Sequence, residues 1–349
     1  MEDLVTQLRG AYSGKRVLVT GHNGFKGSWL VSLLNSLGAE VHGISLEIEP
    51  GSPFKVLHQD GPHKSYTQDI RDFEGLSYLV AKIDPHLVFH LAAQALVLDS
   101  YERPLETFEV NIQGTANLLE AVILTNSLGV VVATTDKVYK NDNSGGHFKE
   151  SDELWGHDPY SLSKTGTELV VSAWRNLPRA HKCKFVTVRA GNVFGPGDRS
   201  PNRLIPDLVK GIGLQTEVVI RNPESVRPWQ FVLDPLVGYL LVGEKIIHAE
   251  TLSGAYNFGP NEESFVTVST ICNLFKMKAP VNLTTVHSEG NLEASILKLD
   301  YTLARRELLW EPRTNLERGL EVTVEMEREL LDSKRISELF STYFSRTFQ

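Results

Sequence analysis

RVLVTGHNGFKGSWLVSLLNSLGAEVHGIS, residues 16–45, decides the fold. RVLVT is a continuous apolar, β-branched run, the pattern of a strand covered on both faces. GSWLVSLLNSLG has the length and composition of a helix that ends at Gly38, and AEVHGIS reads as a second strand. Between the first strand and the helix lies GHNGFKG, with glycines at 21, 24 and 27. Missing Cβ atoms permit a tight turn and close backbone approach, and a helix N-terminus gathers N–H donors suited to a pyrophosphate. Glycines at this spacing also serve simply to turn a strand into a helix. The strand before and the helix after make this one a candidate dinucleotide loop.

The same rhythm continues outward. Residues 86–93, 130–135 and 184–194 read as further buried strands, and residues 107–125 and 161–176 as the helices between them. Strands alternating with helices predict an α/β fold with a Rossmann-type doubly wound parallel sheet. The pattern weakens after Gly195 at GPGDRSPNR. This places a Rossmann domain over residues 1–195 and a smaller, discontinuous substrate-binding domain over 196–349, some of whose segments return to the first. Its expected elements are IPDLVKGI, a strand TEVVIRN, a helix over 234–248 and a last helix over 316–330. The polar stretch 140–153 reads as a loop.

Bulk composition narrows the function. The 349 residues carry a net charge of −8, which argues against a nucleic-acid partner. No apolar run approaches the 18 or so residues of a membrane span, and the N-terminal stretch lacks the order of a signal peptide, so the expectation is a cytoplasmic protein without a membrane partner. Cys183 and Cys272 have no ligand spacing and read as free thiols; no metal is expected.

Chemistry enters with TTDKVY, residues 134–139, and YSLSK, residues 160–164. Tyr160 and Lys164, four apart on one helix, project from one face. A cation beside a phenol favours the phenolate, so Tyr160 is expected to have a lowered pKa and to accept a hydroxyl proton. Thr135 closes a strand at the end where parallel sheets meet ligands, and Asp136 and Lys137 follow it in the turn. Alone, YxxxK would also suit a solvated helix face; its position after a glycine-loop start makes it a candidate site.

GxxGxxG with YxxxK resembles the short-chain dehydrogenase/reductases. GHNGFKGSWL, TTDKVYKN, GHDPYSLSK, RAGNVFGPGD, RLIPDLVKG, RNPESVRPWQFVLDPLVGYL, YNFGP and LKLD together resemble the nucleotide-sugar 4,6-dehydratases, in particular the CDP-glucose branch, in which Lys rather than Glu follows the Asp. The resemblance implies NAD held by Gly21, Asn23, Gly24, Phe25, Lys26, Gly27, Asp69, Ile70, Leu91, Ala92 and Ala93, with Tyr160 and Lys164 at its reactive end. The second strand, ending Gly43-Ile44-Ser45-Leu46, does not itself choose between NAD and NADP. Implied next is a cycle in which Tyr160 takes the C4 hydroxyl proton, Asp136 protonates the departing C6 oxygen and Lys137, as a neutral amine for part of the cycle, handles the C5 proton. The result is a 4-keto-6-deoxy sugar with NAD recycled. Asn192, Arg203, Leu204, Arg221 and Arg227 would hold the nucleotide-sugar, expected to be a CDP-hexose.

The chain departs from the branch at Ala95, Leu98, the loop 141–147 and Leu292. An NAD-dependent epimerase or reductase of nucleotide sugars is the enzymatic alternative; it would need Thr135, Tyr160 and Lys164 but not Asp136 with Lys137. A non-catalytic nucleotide-binding protein is the alternative of another class. Apolar faces on the helices over 107–125 and 161–176 imply, by the resemblance, a homodimer.

Overall fold

The structure, a computed structural model, describes residues 3–47, 54, 63–141, 145–214, 217–220, 222–286, 297–328 and 333–345. Its main sheet has strands β1 (Arg16–Thr20), β2 (Glu40–Ser45), β3 (Lys64–Thr67), β4 (Leu87–His90), β5 (Gly129–Ala133), β6 (Lys184–Arg189) and β7 (Ala255–Asn257). They lie in the order β7-β6-β5-β4-β1-β2-β3, every neighbouring pair parallel. The chain starts in the middle, runs outward to β3, then crosses back to β4. That reversal leaves a crevice at the carboxyl ends of β1 and β4, where open α/β sheets take their ligands.

Alternation along the strands explains why each is apolar throughout. Val17 and Val19 of β1 join one core with Trp29, Leu33, Phe89, Val131 and Leu240. Leu18 points the other way, into a second core with Val88, Val130, Val132, Leu118 and Val171. Each fully buried aliphatic side chain contributes about 1.5–3 kcal/mol, so a polar residue at any of these positions would cost the sheet one of its faces. A helix over Leu4–Tyr12, to which the sequence reading gave no structure, seals the first core with Leu8 and Tyr12, and the Tyr12 hydroxyl donates to Leu240 O at 2.6 Å.

Three expected elements are corrected. The helix over 107–125 is broken by a π-turn at Glu109–Gln113. The Asn111 carbonyl is taken by two threonine hydroxyls, Thr115 (2.7 Å) and Thr167 (2.8 Å), which favours the wider turn. The strand over 184–194 stops at Arg189; Val193–Phe194 pair instead with Gln230–Phe231, and Asn192 between them has a left-handed φ of 47°. Within the expected loop 140–153, His147–Phe148 pair with Lys298–Leu299, while residues 142–144, like Leu292, lie outside the described residues. The C-terminal half contributes β7 to the main sheet, and the helix Leu233–Ile247 packs on it. No helix among the described residues is long and apolar enough to cross a membrane.

Candidate active site

The glycine loop closes over the carboxyl ends of β1 and β4. Gly21 has φ +71°, and a Cβ there would stand 2.6 Å from the Ala92 backbone nitrogen, so only glycine lets the loop lie against residues 91–93. Those residues are anchored in turn: Leu91 N–H donates to Thr20 O (3.0 Å) and Ala92 N–H to Thr20 Oγ1 (3.3 Å). Gly24 opens the helix Phe25–Ser36 without a side-chain cap, which leaves its first-turn N–H donors for an external anion. Asn23 Nδ2 donates to Leu46 O at 3.0 Å, tying the loop to the end of β2. Past β3, the Asp69 carboxylate is held by Arg71 (Nη2–Oδ2 2.6 Å), whose hydrogen bonds keep it below the usual carboxylate range. Ile70 is buried beside it, and its carbonyl accepts from Asn117 Nδ2 at 3.0 Å. Gly21, Asn23, Gly24, Phe25, Lys26 and Gly27 follow β1, Asp69 and Ile70 follow β3, and Leu91, Ala92 and Ala93 follow β4, so all come after the carboxyl ends of parallel strands. A glycine cradle, an uncapped helix start and an acidic rim suit a dinucleotide.

Facing this edge, the helix Pro159–Arg175 starts with Asp158 as its cap, accepting from Ser161 N at 2.9 Å, and with Ser100 Oγ accepting from Tyr160 N at 3.1 Å. Lys164, one turn on, donates from Nζ to Ala133 O at the end of β5 (3.1 Å). Thr135 follows β5 and caps the short turn Asp136–Val138, accepting from Lys137 N at 3.3 Å. Its hydroxyl donates to Asp136 Oδ1 at 3.0 Å and is also a hydrogen-bond partner of the Tyr160 phenol. Asp136 is 2% exposed, and Oδ2 has no hydrogen-bond partner among the described residues. The broken strand explains how it fits: a Cβ on Gly191 would occupy the space of the Asp136 carboxylate.

Electrostatics in this cluster differ from the sequence expectation at Tyr160. Burial pushes the phenol up to about 12, and the lowering by Thr135 and Arg203 does not offset it. The neighbouring amines take the shift instead. Burial, with Lys26 close by, lowers Lys164 to about 7, and burial, with Arg203 close by, lowers Lys26 to about 8. Asp136 is raised above the usual carboxylate range by burial, against the opposing charges of Lys137 and Arg227. A buried phenol bonded to Thr135, a carboxyl raised above the usual carboxylate range and amines lowered below theirs are the parts of an acid-base site.

Arg203 extends towards the same cluster. It donates to Ala95 O (3.4 Å), lies 3.6 Å from Asp198, and its charge acts on both Tyr160 and Lys26. Arg227 sits on Val226–Pro228, paired with Phe265–Thr267, and its charge reaches Asp136. Leu204 opens the helix Leu204–Leu214, and the Asn192 carbonyl accepts from Gln230 N at 3.2 Å. Arg221 lies outside the described residues.

Sequence reasoning missed the residues that brace the site. Glu168, a further turn along from Lys164, is buried with Arg189 in a two-point ion pair, both contacts 2.8 Å. Thr134 and Thr187 donate to the same carboxylate, and Arg189 also donates to Tyr139 Oη at 2.7 Å. Its i+4 spacing from Lys164 was the available signal. Asn111, in the π-turn, bonds both Gln94 N (2.9 Å) and Gln94 O (3.0 Å) and donates to Ser163 Oγ (2.8 Å). No sequence pattern marks an asparagine inside an apolar helix for that duty.

The family model described as GDP-mannose 4,6 dehydratase matches residues 18–323. The chain is similar to the CDP-glucose 4,6-dehydratase of Salmonella typhimurium, with 41% identity over 317 residues covering 87% of this chain and 88% of the relative. Among solved structures it resembles the dTDP-glucose 4,6-dehydratase of Streptomyces venezuelae with NAD and TYD bound (TM-score 0.78, 26% identity, 90% and 97% coverage). It is also similar to the Thermus thermophilus UDP-glucose 4-epimerase in complex with NAD (TM-score 0.79, 26% identity, 90% and 100% coverage). With a glycine loop at one side of the crevice, Tyr160 and Lys164 at the other, and Asp136 with Lys137 between strand and turn, the chain belongs to the nucleotide-sugar 4,6-dehydratase family.

Proposed function

We propose that this chain dehydrates CDP-glucose to its 4-keto-6-deoxy derivative. The similarity to the Salmonella typhimurium enzyme over 87% of the chain supports the nucleotide and hexose. Residues 21–27 and 91–93 would hold NAD, which when bound would supply reversible hydride chemistry to the sugar. Tyr160 accepts the C4 hydroxyl proton, with Lys164 beside it in the low-dielectric floor. Asp136 gives its proton to the leaving C6 oxygen, and Lys137 removes and returns the C5 proton. Arg203 and Arg227, together with Asn192, Leu204 and Arg221, take the pyrophosphate and nucleotide, so that residues 196–349 serve mainly as the substrate half.

The observation that carries this reading is a buried, protonatable Asp136 joined through Thr135 to Tyr160. Epimerisation at C4 needs a proton acceptor and no second acid; elimination needs both. Supplied separately with CDP-, UDP- and dTDP-glucose, the NAD-loaded protein should form a 4-keto-6-deoxy product, read by its alkaline absorbance, with the highest kcat/KM for CDP-glucose. A C4 epimer as the only product would overturn the reaction, and preference for another nucleotide would overturn the substrate.

Dimerisation is part of the same reading. Leu98, Tyr101, Leu105 and Phe108, at 42%, 44%, 79% and 36% exposure, lie on successive turns of one segment, and Leu169 is 63% exposed on the neighbouring helix. An apolar stripe of this kind is expected to pair with its copy on a second chain. Light scattering at micromolar concentration should return the mass of two chains, and a monomer mass would refute it.

A further inference from the structure

Proton bookkeeping for the proposed reaction leaves the site out of balance. Tyr160 gains the proton from the C4 hydroxyl, and the C4 oxygen leaves as a ketone, so that proton is never returned to the sugar. Asp136 loses a proton to the C6 oxygen, which departs as water. The C5 proton is removed and replaced, which nets to nothing. After one turnover, therefore, Tyr160 holds one proton too many and Asp136 one too few. A second turnover requires that one proton travel from the phenol to the carboxylate.

Bulk water has poor access to the receiving end. Asp136 is 2% and Thr135 6% exposed, and the carboxylate is walled in where Gly191 leaves room for it. One side-chain hydroxyl touches both partners. Thr135 Oγ1 lies 3.0 Å from Asp136 Oδ1 and is a hydrogen-bond partner of the Tyr160 hydroxyl. The Lys137 backbone N–H, 3.3 Å away, fixes the hydroxyl's position without competing as an acceptor.

Resting on the dehydratase reading, we propose that the Thr135 hydroxyl is the relay that resets the enzyme, passing a proton from Tyr160 to Asp136 after each elimination. The Tyr160 O–H bond breaks as its proton bonds to Thr135 Oγ1. The Thr135 O–H bond breaks in the same movement as its proton bonds to Asp136 Oδ1. No charge enters or leaves the pair, and no solvent molecule or outside acid is consumed. Elimination and oxidation thereby share one proton: the one that leaves O4 in one turnover leaves with O6 in the next.

The test separates the first turnover from the later ones. NAD-loaded wild type, Thr135→Val and Thr135→Ser proteins are mixed with CDP-glucose in a rapid-quench experiment, at enzyme excess and at substrate excess. Thr135→Val should form one equivalent of 4-keto-6-deoxy sugar per site and then stall, its steady-state rate falling roughly 10²-fold further than its single-turnover rate. Thr135→Ser, which keeps the hydroxyl, should cycle without such a burst. Raising the concentration of a small buffer acid should speed the slow phase of the Val variant alone, an effect that loss of fold or of substrate contact would not give. Equal slowing of both phases in Thr135→Val, or a stall in Thr135→Ser as well, would overturn the relay while leaving the dehydratase reading intact. Absence of the product from wild type would overturn that reading and the relay with it.

Discussion

Glu168→Gln should lower the free energy of unfolding by about 3–5 kcal/mol, the usual cost of leaving one member of a buried ion pair without its partner. Glu168 and Arg189 are 5% and 4% exposed at their side chains. Burial alone would raise the Glu168 pKa, but the Arg189 hydrogen bonds and charge hold it below the usual carboxylate range. The glutamine keeps the shape and can still meet Thr134 and Thr187, so the loss isolates the charge. The change should appear as a lower midpoint of urea denaturation. Glu168→Gln combined with Arg189→Met should recover much of it, because no buried charge is then left alone. A single variant within about 1 kcal/mol of wild type would show that the pair is not the brace it is taken to be. The catalytic consequence follows from position: the Glu168 charge raises the Lys164 pKa, so its removal should drive that amine further towards its neutral form.

Asp136→Asn should reduce turnover about 10²–10⁴-fold, the range for removing a positioned general acid. The amide is nearly isosteric, so the space beside Gly191 stays filled and Thr135 keeps a hydrogen-bond acceptor. What is lost is a proton to give to the C6 oxygen. Oxidation at C4 does not need that proton. The variant should therefore accumulate a 4-keto sugar that still carries its C6 hydroxyl, identifiable by mass after rapid quenching. Tyr160→Phe, which blocks the earlier step, should accumulate no such species. If Asp136→Asn turned over at the wild-type rate, or stopped before C4 oxidation, the acid role would belong elsewhere.

The parallel sheet was legible because its strands are buried on both faces, so each is an uninterrupted apolar run. β3 was not recognised for the opposite reason: as the edge strand, KSYT buries little and shows neither run nor alternation. The break after Arg189 is another kind of failure. KFVTVRAGNVF is apolar enough to be one strand, but Gly191 is needed for its missing Cβ, and that need comes from Asp136, more than fifty residues earlier in the chain. The positions of Thr135, Asp136, Tyr160 and Lys164 could be named from spacing and resemblance. Their protonation could not, since burial reversed the expected shift at Tyr160 and moved it to Lys164 and Lys26. Desolvation depends on what covers a group, and that is a property of the whole fold.

In the proposed cycle one site both removes the C4 hydrogen and delivers it to C6 across an elimination. CDP-glucose carrying deuterium at C4 tests it most directly, with the NAD-loaded protein and no added reductant. The product should be a 4-keto-6-deoxy sugar with the deuterium in its C6 methyl group, seen by mass spectrometry and NMR. Deuterium retained at C4 of an epimer, or released from the sugar altogether, would contradict the account.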